Sequence, residues 1–399
     1  MNTRVRATVL GLSLVVVLYV ALGGLLGRTV GEGAYQQLAV FSEVLNKIQS
    51  DYVEDPNLNQ VTVGALRGLL EALDPYSSYL SPREYADYQK RKASPPAGEV
   101  GLVLSKRFGL ASVVAALPES PAAKASLRTG DIIESIGEFS TREMSVEQAY
   151  LLLAGEPGTG IKVGVVRQAR AEPQTIDLVR ARLRPAALVS GRLENDIGYL
   201  RIASFHAGRA AEVAAALRQL KSQGMRKLVL DLRDAAGGSE EEAVAVSRLL
   251  LSKGIITFIQ GQQVPRKQFT AEPGATVWDA PLTVLINAGT AGAAEIVAAA
   301  VADNRRGEVI GQRSYGVGSV QKTIVLDDGS ALILVVAKYF SPSGKAIQDH
   351  AVTPSVEVAP QDDEPALPQA LALPPAGDPV VGKALEVLRR ASTAADKAA

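Results

Sequence analysis

Cysteine and histidine, two side chains often recruited for catalysis, are absent or nearly so from this sequence, which narrows the chemistry open to it. None of the 399 residues is a cysteine, which excludes a thiol nucleophile, disulfides and thiolate metal sites. The two histidines are His206, behind an apolar run, and His350, among turn residues. A Ser-His-Asp triad would have to use one of them, and neither is expected to be catalytic. A histidine-rich metal centre is not expected, nor is any cofactor. Hydroxyl, amine and carboxylate side chains remain as the candidates for chemistry.

Such groups need elements to hold them. An apolar fraction of 47% is ample for sizeable cores, and the length predicts two or three domains. Lys+Arg and Asp+Glu are 42 each, and no basic cluster is interleaved with aromatics, so no nucleic-acid partner is expected. Arg4 and Arg6 precede Ala7 to Gly27, an uncharged run of 21 residues followed by Arg28. A helix of that length spans a bilayer core of about 30 Å. Residues 1–30 are therefore expected to form a single-pass anchor in the inner (cytoplasmic) membrane. The flanking arginines place the N-terminus in the cytoplasm and the bulk of the chain in the periplasm or its equivalent. A cleaved signal peptide with a small-residue site at Ala21-Leu22-Gly23 is the rival reading.

Residues 35–92 read as helices, with one apolar stripe at Leu38, Phe41, Leu45, Ile48 and Tyr52 and a second at Val63, Leu66, Leu69, Leu70 and Leu73. Asp74 to Pro82 reads as a turn between helices. Ser94 to Gly98 has linker composition. Strand-like runs then dominate to about Arg184, with helices at Ser120 to Ala125 and Val146 to Leu153. From Ile197 strands alternate with helices, the signal for a mixed or parallel sheet. Residues 361–377, rich in Pro, Ala and acidic residues, read as a linker. Residues 378–399 hold a short closing helix and tail.

The segment 96–184 resembles a PDZ domain. The residues that carry this are Ser120-Pro121-Ala122-Ala123, Leu127-Arg128-Thr129-Gly130-Asp131-Ile132-Ile133 and Gly155-Glu156-Pro157-Gly158-Thr159. One departure is Ser126, where glycine is usual. The resemblance implies capture of an extended C-terminal peptide as an added strand, with backbone amides on the terminal carboxylate. The loop for that carboxylate is best matched by Glu99-Val100-Gly101-Leu102, and the strand edge by Gly101-Leu102-Val103-Leu104. Val100, Gly101, Leu102, Val103 and Leu104 are thus the expected peptide-binding residues.

Residues 186–360 resemble the core of the carboxyl-terminal processing peptidases, the tail-specific serine proteases. Leu230-Asp231-Leu232-Arg233 with Gly237-Gly238 is similar to the family's L-D-L-R-x-N-x-G-G. Ser341-Pro342-Ser343-Gly344-Lys345-Ala346-Ile347-Gln348 is similar to [TS]-P-[ST]-G-x-x-I-Q. Asn287-Ala288-Gly289-Thr290-Ala291-Gly292-Ala293-Ala294-Glu295-Ile296 looks like the nucleophile segment N-x-G-[ST]-A-S-A-S-E-I, and Gly316-Val317-Gly318-Ser319-Val320-Gln321 looks like the G-K-G-[ST]-V-Q motif of the base. The resemblance puts Gly292 where the nucleophilic serine belongs and Val317, 25 positions later, where the lysine belongs. Gln321 matches a glutamine that orients that lysine. Gly237 and Gly238 are the oxyanion-hole candidates.

The fold expected is a multidomain mixture of α/β and α+β. It has an N-terminal helical region, a PDZ domain inserted before an α/β (ClpP/crotonase-like) protease-type core, and one preceding transmembrane helix. The expected function is that of an inactive, membrane-tethered homologue binding protein C-termini or unfolded polypeptides as scaffold or regulator. A second copy, or an active homologue, would be its partner as a regulatory subunit. The alternative is an active serine-type endopeptidase with a relocated dyad. Thr290, two residues before Gly292, is most simply a helix cap, however, and Ser319 and Lys322 read as strand-edge polar residues.

Overall fold

The computed structural model describes residues 32–94, 97–107, 109–167, 170–359 and 372–396. The expected membrane segment, residues 1–30, lies outside them, as does most of the expected linker at 361–377. Among the described residues no helix is long and apolar enough to cross a membrane. The chain divides into two compact units, residues 1–66 and 67–399.

The first unit carries α1 (Glu32–Asp51) and the start of α2 (Leu58–Glu71). Along the expected stripe of α1, Phe41, Leu45 and Ile48 are half-buried, but Leu38 and Tyr52 are 60% and 61% exposed.

In the second unit the segment expected as a plain turn is a buried strand. The Asp74 carboxylate folds the entry by accepting from the Tyr76 and Ser77 N–H groups at 2.7 Å each. The chain then runs as β1 (Ser78–Leu80), fully covered. The prolines on either side marked its ends, not its absence. A Ser81–Glu84 capping box with Pro82 starts α3 (Pro82–Ala93).

Next come β2 (Leu102–Arg107), β3 (Leu110–Ala116), α4 (Pro121–Lys124), β4 (Ile132–Ile136), β5 (Phe139–Ser140), α5 (Val146–Leu153), β6 (Gly160–Arg167) and β7 (Arg170–Val179). They form an antiparallel sheet of order β2-β3-β4-β6-β7, with β5 on β4. Ser120 caps α4 and Ser145 caps α5. Gly98, assigned to a linker by composition, is instead backbone-paired with Gly155, and Glu99 with Ala181.

The remainder is β8 (Val189–Glu194), β9 (Ile197–Arg201), α6 (Arg209–Ser222), β10 (Lys227–Asp231), α7 (Glu240–Leu250), β11 (Ile255–Gln260), β12 (Lys267–Thr270), β13 (Leu282–Ile286), α8 (Ala293–Asp303), β14 (Glu308–Gly311), β15 (Ser319–Val325), β16 (Ala331–Phe340), α9 (Ile347–His350), β17 (Val356–Glu357) and α10 (Pro379–Asp396). The central sheet has the order β17-β14-β13-β10-β9-β8 and is parallel except at β8–β9. Its inner strands are apolar without alternation because both faces are covered. Leu228, Leu230 and Val284 pack with Leu217, Val246 and Val297 of α6, α7 and α8. Tyr199, Val229 and Leu285 pack with Val381, Ala384 and Leu388 of α10. Arg233 pins α10, with Nη2 2.6 Å from Asp231 Oδ2 and Nη1 2.8 Å from Asp378 Oδ2; Arg233 and Asp231 are buried and Asp378 is half-buried. A third sheet, β1-β16-β11-β12 with β15 on β16, completes the unit.

Candidate functional site

The carboxyl ends of β10 and β13 lie side by side, the edge at which parallel sheets hold ligands. The loops that leave them are bonded to each other. Asn287 Oδ1 accepts from the Asp234 N–H at 2.9 Å, and its Nδ2 donates to Asp234 Oδ1 at 2.8 Å. The Ala291 N–H donates to the Ala235 carbonyl at 2.9 Å. Thr290 is fully buried; its hydroxyl donates to the Leu232 carbonyl at 2.8 Å and accepts from the Asn287 N–H at 3.0 Å. It was expected to cap the next helix. It cannot, because it lies in the turn before the helix, and Gly292 is the N-cap. Its oxygen ties the two loops together instead.

Gly292 sits at φ 62°, ψ −118°. That conformation costs an L-residue about 1–3 kcal/mol. Strained strand-to-helix turns use it to push a nucleophile into the open. A Cβ at Gly292 would meet nothing within 4 Å, so the position is open as well as strained.

The residue that joins this turn to the 314–317 loop is Glu295, which sequence reasoning did not single out. It is fully buried at the third position of α8. Its Oε2 accepts from the Gly292 N–H at 3.0 Å and the Val317 N–H at 2.7 Å. Its Oε1 accepts from the Gly316 N–H at 2.8 Å and from the Ser314 hydroxyl. Burial pushes its carboxyl up to about 7, while the Ser314 hydroxyl and the three N–H groups pull the other way. The available signal was a glutamate three residues past a helix start, half of a capping box. Position 292 has no side chain to form the other half.

Val317 is half-buried and packs against an apolar cluster of Val114, Ala115, Ala236 and Ala291, beside Val103 and Tyr315. The position that the resemblance gives to the base is thus surrounded by hydrocarbon, with Val114 and Ala115 of β3 among its neighbours. Gln321 lies on β15, and its Nε2 donates to the Tyr76 carbonyl at 2.9 Å. Lys322 is exposed on the same strand, which pairs only with β16.

Gly237 and Gly238 form a turn at φ 79° and 101°. The Gly237 carbonyl accepts from the Phe205 N–H at 3.1 Å, whereas the two glycine N–H groups donate to no protein group among the described residues. A Cβ on Gly238 would lie 2.3 Å from the Phe205 carbonyl carbon, so only glycine fits. An open cleft of about 610 Å³ runs past Ala288, Tyr315 and Gly316 to Tyr76, Ser105 and Gln348. Burial raises the pKa of the Tyr76 hydroxyl, against a hydrogen bond with Ser105 that lowers it.

On the antiparallel sheet, β2 is an edge strand. Leu102 and Leu104 are buried in the sheet's core, and Val103 faces the apolar cluster at Val317. Val100 is buried, and the Glu99 N–H is already bonded to the Ala181 carbonyl at 2.9 Å.

The family model described as Peptidase family S41 matches residues 196–358. The carboxy-terminal-processing protease of Bartonella bacilliformis is 34% identical over 332 residues, 82% of this chain and 76% of that one. Carboxy-terminal processing protease CtpA of Bacillus subtilis is 30% identical over 331 residues, 82% and 69% of the two chains. Among solved structures, the photosystem II D1 C-terminal processing protease superposes with a TM-score of 0.66 at 28% identity, covering 80% of this chain and 92% of that one.

Proposed function

The chain belongs to the S41 family of carboxy-terminal-processing peptidases, and on that premise we propose that it is a catalytically silent member that binds protein C-termini or unfolded polypeptides without cutting them. The observation that carries this is the pair Gly292 and Val317. Glycine offers no oxygen to attack a carbonyl, and valine offers no lone pair to take a proton; no rotamer or pKa shift restores either role. The packing of Val317 among Val114, Ala115, Ala236 and Ala291 supports the same reading, because the space near the base position is filled by carbon. A relocated dyad has less support. The Thr290 hydroxyl is fully buried and already both donates and accepts, and Lys322 points to solvent from an edge strand.

Tail binding is assigned to the sheet of residues 102–179, read as a PDZ domain. Its support is the free edge of β2, the loop Val100-Gly101-Leu102 before it, and relatives named for acting at carboxyl termini. The uncharged run behind Arg4 and Arg6 supports a membrane tether with the remainder outside the cytoplasm. The test is incubation of the detergent-solubilised full chain with a disordered peptide and with a serine-directed phosphonate. No cleavage and no label are expected. Turnover that survives removal of contaminating proteases and vanishes in Thr290→Ala would overturn silence.

A further inference from the structure

The free edge of β2 is not bare. The Leu104 N–H donates to the Tyr150 hydroxyl of α5 at 2.8 Å. Residues of an edge strand alternate between pointing their N–H and C=O at the neighbouring strand and pointing them outward. Leu104 is directed at α5 and not at β3, so its N–H is one of those that an added peptide strand would need. We propose that Tyr150 is a specificity-determining residue of this groove, a built-in plug whose hydroxyl takes the place of a peptide carbonyl on Leu104. This rests on the reading of β2 as a tail-binding edge.

The side chain is well placed for that task. Its ring packs against the apolar core that also holds Leu102 and Leu104, so the hydroxyl's reach is fixed by packing. Burial pushes that hydroxyl up to about 12, so it remains a neutral O–H at working pH and can accept from a backbone amide. A peptide gains the Leu104 N–H only by displacing it. Tails that bind weakly through their last residue alone are therefore rejected, and those with enough apolar contact to move the ring are admitted. The groups that face Tyr150 electrostatically are Glu147 on its own helix, Glu99 of the carboxylate loop and Tyr315 beside Gly316 and Val317.

The test uses the full chain in detergent as wild type and Tyr150→Phe, which keeps the ring and removes only the oxygen. The probe is a fluorescent ten-residue peptide with an apolar last residue, as free acid and as amide. Loss of one competing hydrogen bond should tighten binding of the free acid about 2- to 12-fold, with the amide weak on both chains. Without peptide, hydrogen exchange at the Leu104 amide should quicken in Tyr150→Phe. Unchanged Leu104 exchange, or equal or weaker binding by a variant whose Leu104 amide has been released, would overturn the plug. If Leu104 exchange responds but neither chain binds either peptide, tail binding itself fails, and selection by Tyr150 falls with it.

Discussion

Restoring the two missing groups is the sharpest test of silence, and the structure sets what each restoration costs. At Gly292 a Cβ meets nothing within 4 Å, so Gly292→Ser carries only the conformational cost of φ 62°, about 1–3 kcal/mol. Val317→Lys is more demanding. Its amine would enter the cluster of Val114, Ala115, Ala236 and Ala291. To serve as base it must be neutral near pH 7, a fall of about 3 units from the ordinary lysine value, or about 4–5 kcal/mol. Together the two changes cost roughly 5–8 kcal/mol, against a total stability of about 5–15 kcal/mol for an ordinary domain. The double variant should therefore fold with a clearly lowered melting temperature, cleave a quenched peptide with an apolar tail and take up a phosphonate. Each single variant should do neither, because serine without a base is a weak nucleophile and lysine without serine has nothing to activate. A double variant that is folded by circular dichroism yet neither cleaves nor labels would refute the reasoning. It would mean that the Gly237-Gly238 amides or the path to them are also incompetent.

Three further outcomes follow from buried contacts. Glu295 has a folded-state carboxyl near 7 against an ordinary 4.5. Between those values the folded chain holds a proton that the unfolded chain has released, so stability should fall by about 3 kcal/mol as pH rises from 4.5 to 7. Urea melts at pH 5 and pH 8 should show that loss in wild type and not in Glu295→Gln; a rise in wild-type stability with pH would reverse the sign argued here. Gly238→Ala places a methyl 2.3 Å from the Phe205 carbonyl carbon and should cost more than about 3 kcal/mol, read by chemical denaturation. Asp378→Ala strips Arg233 of one of its two carboxylate partners. It should cost about 3–5 kcal/mol and expose α10 to limited proteolysis; an unchanged cleavage pattern would show that the apolar face of α10 holds alone.

The elements that position the site were largely legible because their signals are local. The run Val146 to Leu153 marked α5, the unbroken Leu228-Val229-Leu230 run marked a buried strand, and the stretch after Gly292 marked α8. Pairings distant in sequence were not legible. The Asp74–Pro82 segment became a strand only because β16 offered it an edge, with Ser78 opposite Ile333. Gly98 was read from composition as linker, yet Gly155 supplies it a backbone partner. Thr290 read as a cap from its type and place; its actual acceptor, the Leu232 carbonyl, is 58 residues away. Glu295 was not singled out, because the donors that define it arrive from a loop about 20 residues later. A β-bulge between Val320 and Gln321 likewise breaks the simple alternation by which side chains past Val317 were assigned to faces.

Why a site proposed to be silent should keep so much of a protease motif has a physical answer in the same bonds. The Glu295 carboxylate satisfies the N–H groups of Gly292, Gly316 and Val317, Thr290 satisfies the Leu232 carbonyl, and Asn287 satisfies the Asp234 N–H. Buried backbone groups must be paired whether or not a reaction follows, and each one orphaned costs about 1–3 kcal/mol. The motif residues that make these bonds are thus held by the fold. The two positions that differ are those whose family residues would strain it: a serine at φ 62°, and a lysine amine set into hydrocarbon. Glycine relieves the first and valine turns the second into packing against β3. Both substitutions move the chain toward stability and away from chemistry. On this account the retained motif testifies to the fold, and the side chains at 292 and 317 carry the argument about activity.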